Sequence, residues 1–185
     1  MTHTLQTTRE DHLVAWFTAL AITIHIAESA LPSPLPGVKP GLANVVTLIV
    51  LCRFGWRLAV WVALLRVLIG SVLLGTFLSP TFFLSLTGAV ASAAALGLGW
   101  SVSRNLPGLS LGPLGYGLLA ALAHMTGQFW AAYALFIPHP ALLHLYPPLM
   151  TLAALLGLLG GVLTRGVLAR LNSDSDAPIP MSQQQ

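Results

Sequence analysis

LAVWVALLRVLIGSVLLGTFLSPTFFLSLTGAVASAAALGLGWS, residues 58–101, contains Arg66 as its only charged residue. A membrane-spanning helix needs about 20 consecutive apolar residues. The stretch holds two runs of that length, Leu58 to Phe77 and Phe82 to Ser101, with a turn at Ser79 and Pro80 between them. The pattern therefore predicts two antiparallel helices that cross a membrane.

The remainder of the chain repeats this pattern. Of its 185 residues 56% are hydrophobic and only 7% are charged, against roughly 25% in an average soluble domain, and the mean hydropathy is +0.82. A shorter run, Leu42 to Cys52, extends at most from Gly41 to Trp56. The remaining apolar runs of spanning length or close to it are His12 to Leu31, Leu114 to Ile137 and Leu149 to Leu168. We expect an all-α integral membrane protein of six transmembrane helices with a short second helix.

Polar segments at both ends of the sequence set the boundaries of the predicted membrane domain. Residues 1–11 form a polar N-terminal segment, residues 12–170 the six-helix membrane domain, and residues 171–185 a polar tail that we expect to be disordered, because it has no apolar face to bury. The seven arginines and one lysine are scattered along the chain and form no stripe, so we do not expect nucleic acid as a partner. The lipid bilayer is the expected solvent.

The basic residues indicate the orientation. In a six-helix arrangement six arginines fall on one side of the membrane and Lys39 falls on the other. The six are Arg9, Arg53, Arg57, Arg104, Arg165 and Arg170. Because Lys and Arg are enriched in cytoplasmic loops, both termini are predicted to be cytoplasmic. A five-helix arrangement would place Arg53 and Arg57 opposite Arg9, which favours six.

Several polar side chains lie inside apolar runs, where an ionisable group is costly unless it faces a partner or a cavity. The set is His25, Glu28, Asn44, Arg66, His124 and Gln128. At about 1.5 Å per residue they cluster in the outer half of the membrane, beneath the Pro-rich segment Pro32 to Gly41. We predict an outward-facing pocket there. The candidate ligand-binding residues are Glu28, Lys39, Asn44, Arg66, His124 and Gln128.

Structural roles remain open for the same residues. Glu28 and Arg66 can instead form a buried pair that holds helices 1 and 3 together, and His25 can be a hydrogen-bonded core residue. His139 and His144 lack a neighbouring acidic or cysteine partner, so no metal site is expected.

Small residues at four-residue spacing form stripes on two helices. One stripe is Ala15, Ala19, Thr23 and Ala27, and the other is Ala153, Gly157 and Gly161. Such stripes allow close helix packing. They either pack within the chain or, in the first helix, dock another membrane protein.

Motifs for catalysis are absent from the sequence. There is no GxxxxGK[ST] for ATP binding. The acidic residues Asp11, Asp174 and Asp176 lie at the polar ends, so no aspartate pair can hold a magnesium diphosphate. No Cys/His pattern suits haem or an iron–sulfur cluster. We therefore expect a binding protein without a cofactor, not an enzyme.

Three motifs carry a resemblance to a known family. They are ESALPSPLPGVKPGLANVVTL (Glu28 to Leu48), LLRVLIGSVLLGTFLSPTFFLSLTG (Leu64 to Gly88) and AHMTGQ (Ala123 to Gln128). The chain resembles the Gx transporter family, also labelled heptaprenyl diphosphate synthase component I, from about Leu13 to Leu168. Members of this family are similar to the substrate-binding S components of energy-coupling-factor transporters. The chain departs from the family pattern at Met125, where Asn is common.

The resemblance implies a six-helix bundle with an outward-facing pocket and with Pro32 to Gly41 as the lid of that pocket. It also implies that Ala15 and Ala19 dock a transmembrane coupling subunit, which is driven by ATPase subunits. The expected function is substrate capture for a small-molecule uptake transporter in a bacterial inner membrane. The alternative is a non-catalytic membrane accessory subunit of prenyl diphosphate or quinone synthesis, or of a flavin-linked redox complex.

Overall fold

The computed structural model describes residues 8–30, 42–106, 108 and 110–175. These residues form six α-helices and one short 3-10 helix, Pro140–Leu145, and contain no strand. The α-helices are α1 Arg9–Ala30, α2 Leu42–Phe54, α3 Trp56–Leu73, α4 Pro80–Asn105, α5 Pro113–Leu135 and α6 Tyr146–Ser175. The expected all-helical fold and the short second helix are confirmed.

Three helical segments of the described chain are long and apolar enough to cross a membrane by length and composition: Trp56–Leu73, Pro80–Asn105 and Pro140–Leu171. Helix α2 is apolar but has only 13 residues. The protein is therefore a helical, membrane-associated protein.

Local capping explains where two helices begin. The carboxylate of Asp11 accepts hydrogen bonds from the backbone N–H and the hydroxyl of Thr8, each at 2.8 Å, and Thr8 Oγ1 accepts from the Asp11 amide. Ser79 Oγ accepts from the Phe82 amide and Pro80 opens α4. Both arrangements satisfy amides that a helix N-terminus leaves without partners.

Two helices end at points that the apolar pattern does not predict. Helix α3 ends at Leu73, before the predicted Phe77, because Gly75 (φ 67°) and Leu78 (φ 60°) adopt left-handed backbone conformations. Helix α6 continues to Ser175, into the segment that we expected to be disordered from residue 171. Residues 176–185 lie outside the described part of the chain.

Helix α2 is the central element. Helices α1, α3, α4, α5 and α6 pack in series, and α2 contacts α1, α3, α5 and α6. Val50 and Leu51 of α2 are fully buried and Leu48 nearly so. A helix with apolar residues on all sides is most stable when other helices cover every side.

Helices α5 and α6 meet backbone to backbone. A Cβ atom added at Gly117 would collide with the carbonyl oxygen of Gly157 and would lie 2.9 Å from the amide nitrogen of Gly161. One added at Gly161 would lie 2.6 Å from the Cα of Leu114. The small-residue stripe of the sixth helix therefore serves packing within this chain.

Candidate functional site

A cavity of about 590 Å³ lies between the helices of the bundle. This volume is within the range of about 300–1,000 Å³ that small-molecule pockets occupy. Its polar lining residues come from α1 to α5 and the α3–α4 connection: His25, Glu28, Asn44, Arg66, Ser71, Thr76, Thr81, Ser85, His124 and Gln128. Leu74 and Thr81, at the α3–α4 connection, are exposed. The cavity therefore opens at this end of the bundle.

The structure brings five predicted residues to this one cavity: Glu28, Asn44, Arg66, His124 and Gln128. They come from α1, α2, α3 and α5. Because they are distant in the sequence, only the packing of these helices can assemble them. Lys39 and the predicted lid, Pro32 to Gly41, lie outside the described residues.

Glu28 joins two helices beside the cavity. Its side chain is 5% exposed, and its Oε1 accepts a hydrogen bond of 2.6 Å from the backbone N–H of Leu42, the first residue of α2. The carboxylate thus satisfies an amide at the N-terminus of α2, where the helix dipole also favours negative charge. This bond fixes the last turn of α1 against the start of α2.

Arg66 places a cation in the cavity wall. It is 8% exposed, and its guanidinium interacts through space with the carboxylate of Glu28 and with His124. Within the described part of the chain, Glu28 and Arg66 do not form a direct ion pair; the carboxylate is bonded to Leu42. An arginine has five N–H donors and keeps its charge in proteins. Its donors are therefore available to an anionic group in the cavity.

His124 and Gln128 are one turn apart on α5 and face α4 at Gly88. A Cβ atom added at Gly88 would lie 2.8 Å from His124 Nε2 and from Gln128 Cγ. The missing side chain at Gly88 therefore makes room for both polar side chains at the cavity.

The sequence did not single out the small hydroxyl residues of the lining. Ser71 and Thr76 both line the cavity. Ser71 Oγ donates to the Leu68 carbonyl at 2.8 Å, and Thr76 Oγ1 donates to the Ser71 carbonyl at 3.4 Å. Ser and Thr hydroxyls can bond to nearby backbone carbonyls in this way in helices and turns alike. Their type alone therefore carries no signal of a site.

The two histidines of the α5–α6 connection do not line the cavity. His139 Nδ1 accepts a hydrogen bond of 3.1 Å from the Ala141 amide at the start of the 3-10 helix, which gives it a capping role. The described residues include no group of three His, Cys, Asp or Glu side chains that could hold a metal ion.

The predicted docking face of α1 lies outside the bundle. Ala15 and Ala19 are exposed, and Trp16 between them has 77% of its surface exposed. The inward face of the same helix carries Thr18 and Ala21, which are buried. The small residues of α1 are therefore placed where another membrane component could reach them.

Comparison with known proteins identifies one family. The sequence profile of heptaprenyl diphosphate synthase component I matches residues 17–167, well over half of the chain. This range covers α2 to α5 completely, most of α1 and α6, and every described residue that lines the cavity. No curated protein and no solved structure is significantly similar to the chain. The chain belongs to the heptaprenyl diphosphate synthase component I family.

Proposed function

We propose that this protein is a membrane substrate-binding subunit that captures a small anionic molecule in the cavity between its helices. The observation that carries the proposal is Arg66, a buried guanidinium in the cavity wall. Among the described residues, Glu28 is the one acidic residue of the lining, and it makes no direct ion pair with Arg66. A buried charge without a close partner is costly. An anionic ligand would offset this cost, and Asn44, His124 and Gln128 would supply further hydrogen bonds.

The proposal includes a topology. All six helices cross a bacterial inner membrane, with both termini in the cytoplasm, and α2 crosses in the middle of the bundle where other helices shield it. The separation of six arginines from Lys39 supports this orientation. The cavity would then open outward, because its mouth is at the α3–α4 connection, opposite the arginine-bearing end.

Energy for uptake would come from partners. The chain would act as an S-component-like subunit whose exposed α1 face, with Ala15 and Ala19, docks a transmembrane coupling subunit that is driven by ATPase subunits. Small residues on an exposed helix face permit the close approach that helix association in membranes requires.

A second candidate comes from the family description. The chain would be a non-catalytic membrane accessory of a heptaprenyl diphosphate synthase, and the cavity would hold a diphosphate substrate or product. The acidic residues of the sequence do not form a magnesium diphosphate motif. In this role, catalysis would therefore belong to a partner enzyme.

Purification from native membranes tests both candidates. We expect native mass spectrometry to show a retained small molecule that is lost in Arg66→Met and weakened in Gln128→Leu, which removes no buried charge. Arg104→Met, at an exposed arginine, is the control. Loss of cellular uptake in the first two variants supports the transport role. Co-purification of a prenyl synthase without an uptake defect supports the accessory role. A wild-type protein that never retains a ligand would refute both.

A further inference from the structure

The lining of the cavity is divided by element. Polar side chains come from α1 to α5 and the α3–α4 connection, whereas every lining residue of α6 is apolar. The α6 residues are Leu152, Ala153, Leu156, Gly157 and Gly160. A ligand that filled this cavity would therefore meet donors and charge on one side and hydrocarbon on the other.

The same division follows the axis of α5. Gln128 and His124 line the cavity at one end, and Ala121 and Gly117 line it further towards the start of the helix. His124 and Gly117 are seven residues apart, which corresponds to about 10 Å along the helix. We call the region lined by Gly117, Ala121, Leu156, Gly157 and Gly160 the apolar end. No polar side chain of α5 or α6 lines it.

The apolar end is closed by helix packing. Gly117 and Gly157 bring the backbones of α5 and α6 into direct contact, and Gly157 also lies against Ala121. The cavity therefore does not continue between α5 and α6 at this level.

From this division we infer that the ligand is an amphiphile: an anionic group held at Arg66 with an apolar tail of about 10 Å in the apolar end. This inference rests on the proposed function and adds the substrate class. Arginine binds phosphate and carboxylate groups in the same bidentate manner. Free amphiphiles and anionic lipids share this chemistry, so the test includes both sources.

The test uses the full chain in nanodiscs of phosphatidylcholine. Binding of inorganic phosphate and of butyl, hexyl and octyl phosphate is measured by calorimetry, with octanol as the uncharged comparison. Each added methylene that enters the apolar end is expected to raise affinity about fourfold. Octanol and the Arg66→Met variant are expected to bind at least about tenfold more weakly than octyl phosphate binds the wild type.

Two variants change the apolar end in opposite directions. A Cβ atom at Gly160 has room, since its nearest neighbour would be Val45 Cγ2 at 3.7 Å, so Gly160→Leu is expected to fill the apolar end without separating helices. It should weaken octyl phosphate by about 15-fold, the value of two methylenes, and leave butyl phosphate unchanged. Leu156→Ala should enlarge the apolar end, so that alkyl phosphates longer than octyl phosphate bind more tightly to this variant than to the wild type. Gly166→Leu is the control on the same helix, because nothing lies within 4 Å of that position.

Each outcome decides a specific point. Displacement of octyl phosphate by phosphatidylglycerol in the nanodisc would identify bilayer lipid as the source of the amphiphile. Lack of displacement would identify a free amphiphile. If binding depends on Arg66 but its affinity does not change with chain length, the inferred apolar tail is wrong and the proposed function is supported. Equal effects of Gly160→Leu and Gly166→Leu on binding that depends on Arg66 would lead to the same conclusion. Failure of every alkyl phosphate to bind would overturn the inference, and the ligand retained from native membranes would still decide the proposed function.

Discussion

Glu28 has two roles that substitution can separate. Its carboxylate accepts the Leu42 amide at 2.6 Å and also stabilises the charge of Arg66 through space. Hydrogen bonds to a charged group contribute about 1.5–3 kcal/mol, and neutral ones about 0.5–1.5 kcal/mol. Glu28→Gln keeps the acceptor and loses the charge, so we expect it to lower the free energy of unfolding by about 1 kcal/mol. Glu28→Ala also leaves the Leu42 amide without its acceptor, and we expect a loss of about 2–3 kcal/mol.

A double-mutant cycle isolates the contribution of Arg66. When Arg66→Met has removed the cation, Glu28→Gln should cost less than in the wild type, by about 0.5–3 kcal/mol, the usual coupling between interacting residues. The measurement is reversible unfolding in mixed micelles, followed by circular dichroism. Arg104→Met, exposed at the end of α4, serves as the distant partner, and its effect should add to that of Glu28→Gln within about 0.5 kcal/mol. Equal costs of Glu28→Gln with and without Arg66 would refute the charge interaction and leave Glu28 as a helix cap only.

Two further predictions concern the packing and the N-terminal end. Gly117→Ala should lower the free energy of unfolding by about 3 kcal/mol, because the three atoms nearest to its new methyl are backbone atoms of α6. Gly166→Ala is the control, since that position is in open space, and it should change the free energy of unfolding by less than about 1 kcal/mol. Equal effects of the two substitutions in the same micelle assay would contradict the close α5–α6 contact. The hydrogen bonds from Thr8 hold the pKa of Asp11 below its ordinary value of 3.8. The ionised carboxylate therefore stabilises the first turn of α1 at pH values above 3.8. This stabilisation is lost as the pH falls through the lowered pKa. The protection factors of the amides in this turn, which correct for the intrinsic pH dependence of exchange, should fall on acidification in the wild type but show no such pH step in Asp11→Asn. The same step in both proteins would refute the assignment.

The helices were predictable from the sequence because their signal is local. Uninterrupted apolar runs such as Leu58 to Phe77 need no tertiary information to be recognised as helices for an apolar solvent. The end of α3 was not predictable, since Leu73 and Phe77 are both apolar. The positive backbone angles of Gly75 and Leu78 that end the helix depend on the connection to α4.

The candidate site was predictable in part. Glu28 and Arg66 stand out because a charge within an apolar run is costly and requires a partner. Ser71 and Gly160 carry no such signal, because serine and glycine are ordinary residues in membrane helices. Their place in the lining depends on which helix face meets the cavity.

The sequence by itself determined an apolar, all-helical protein with a short second helix, and it marked the polar side chains that need a partner. Only the tertiary structure decided that Glu28 caps α2 instead of pairing directly with Arg66, and that the polar side chains share one cavity whose α6 lining is apolar. The physical reason is the distance along the chain over which each interaction acts. Hydropathy acts on neighbouring residues in one helix, whereas a hydrogen bond across helices and the lining of a cavity depend on the register in which separate helices pack.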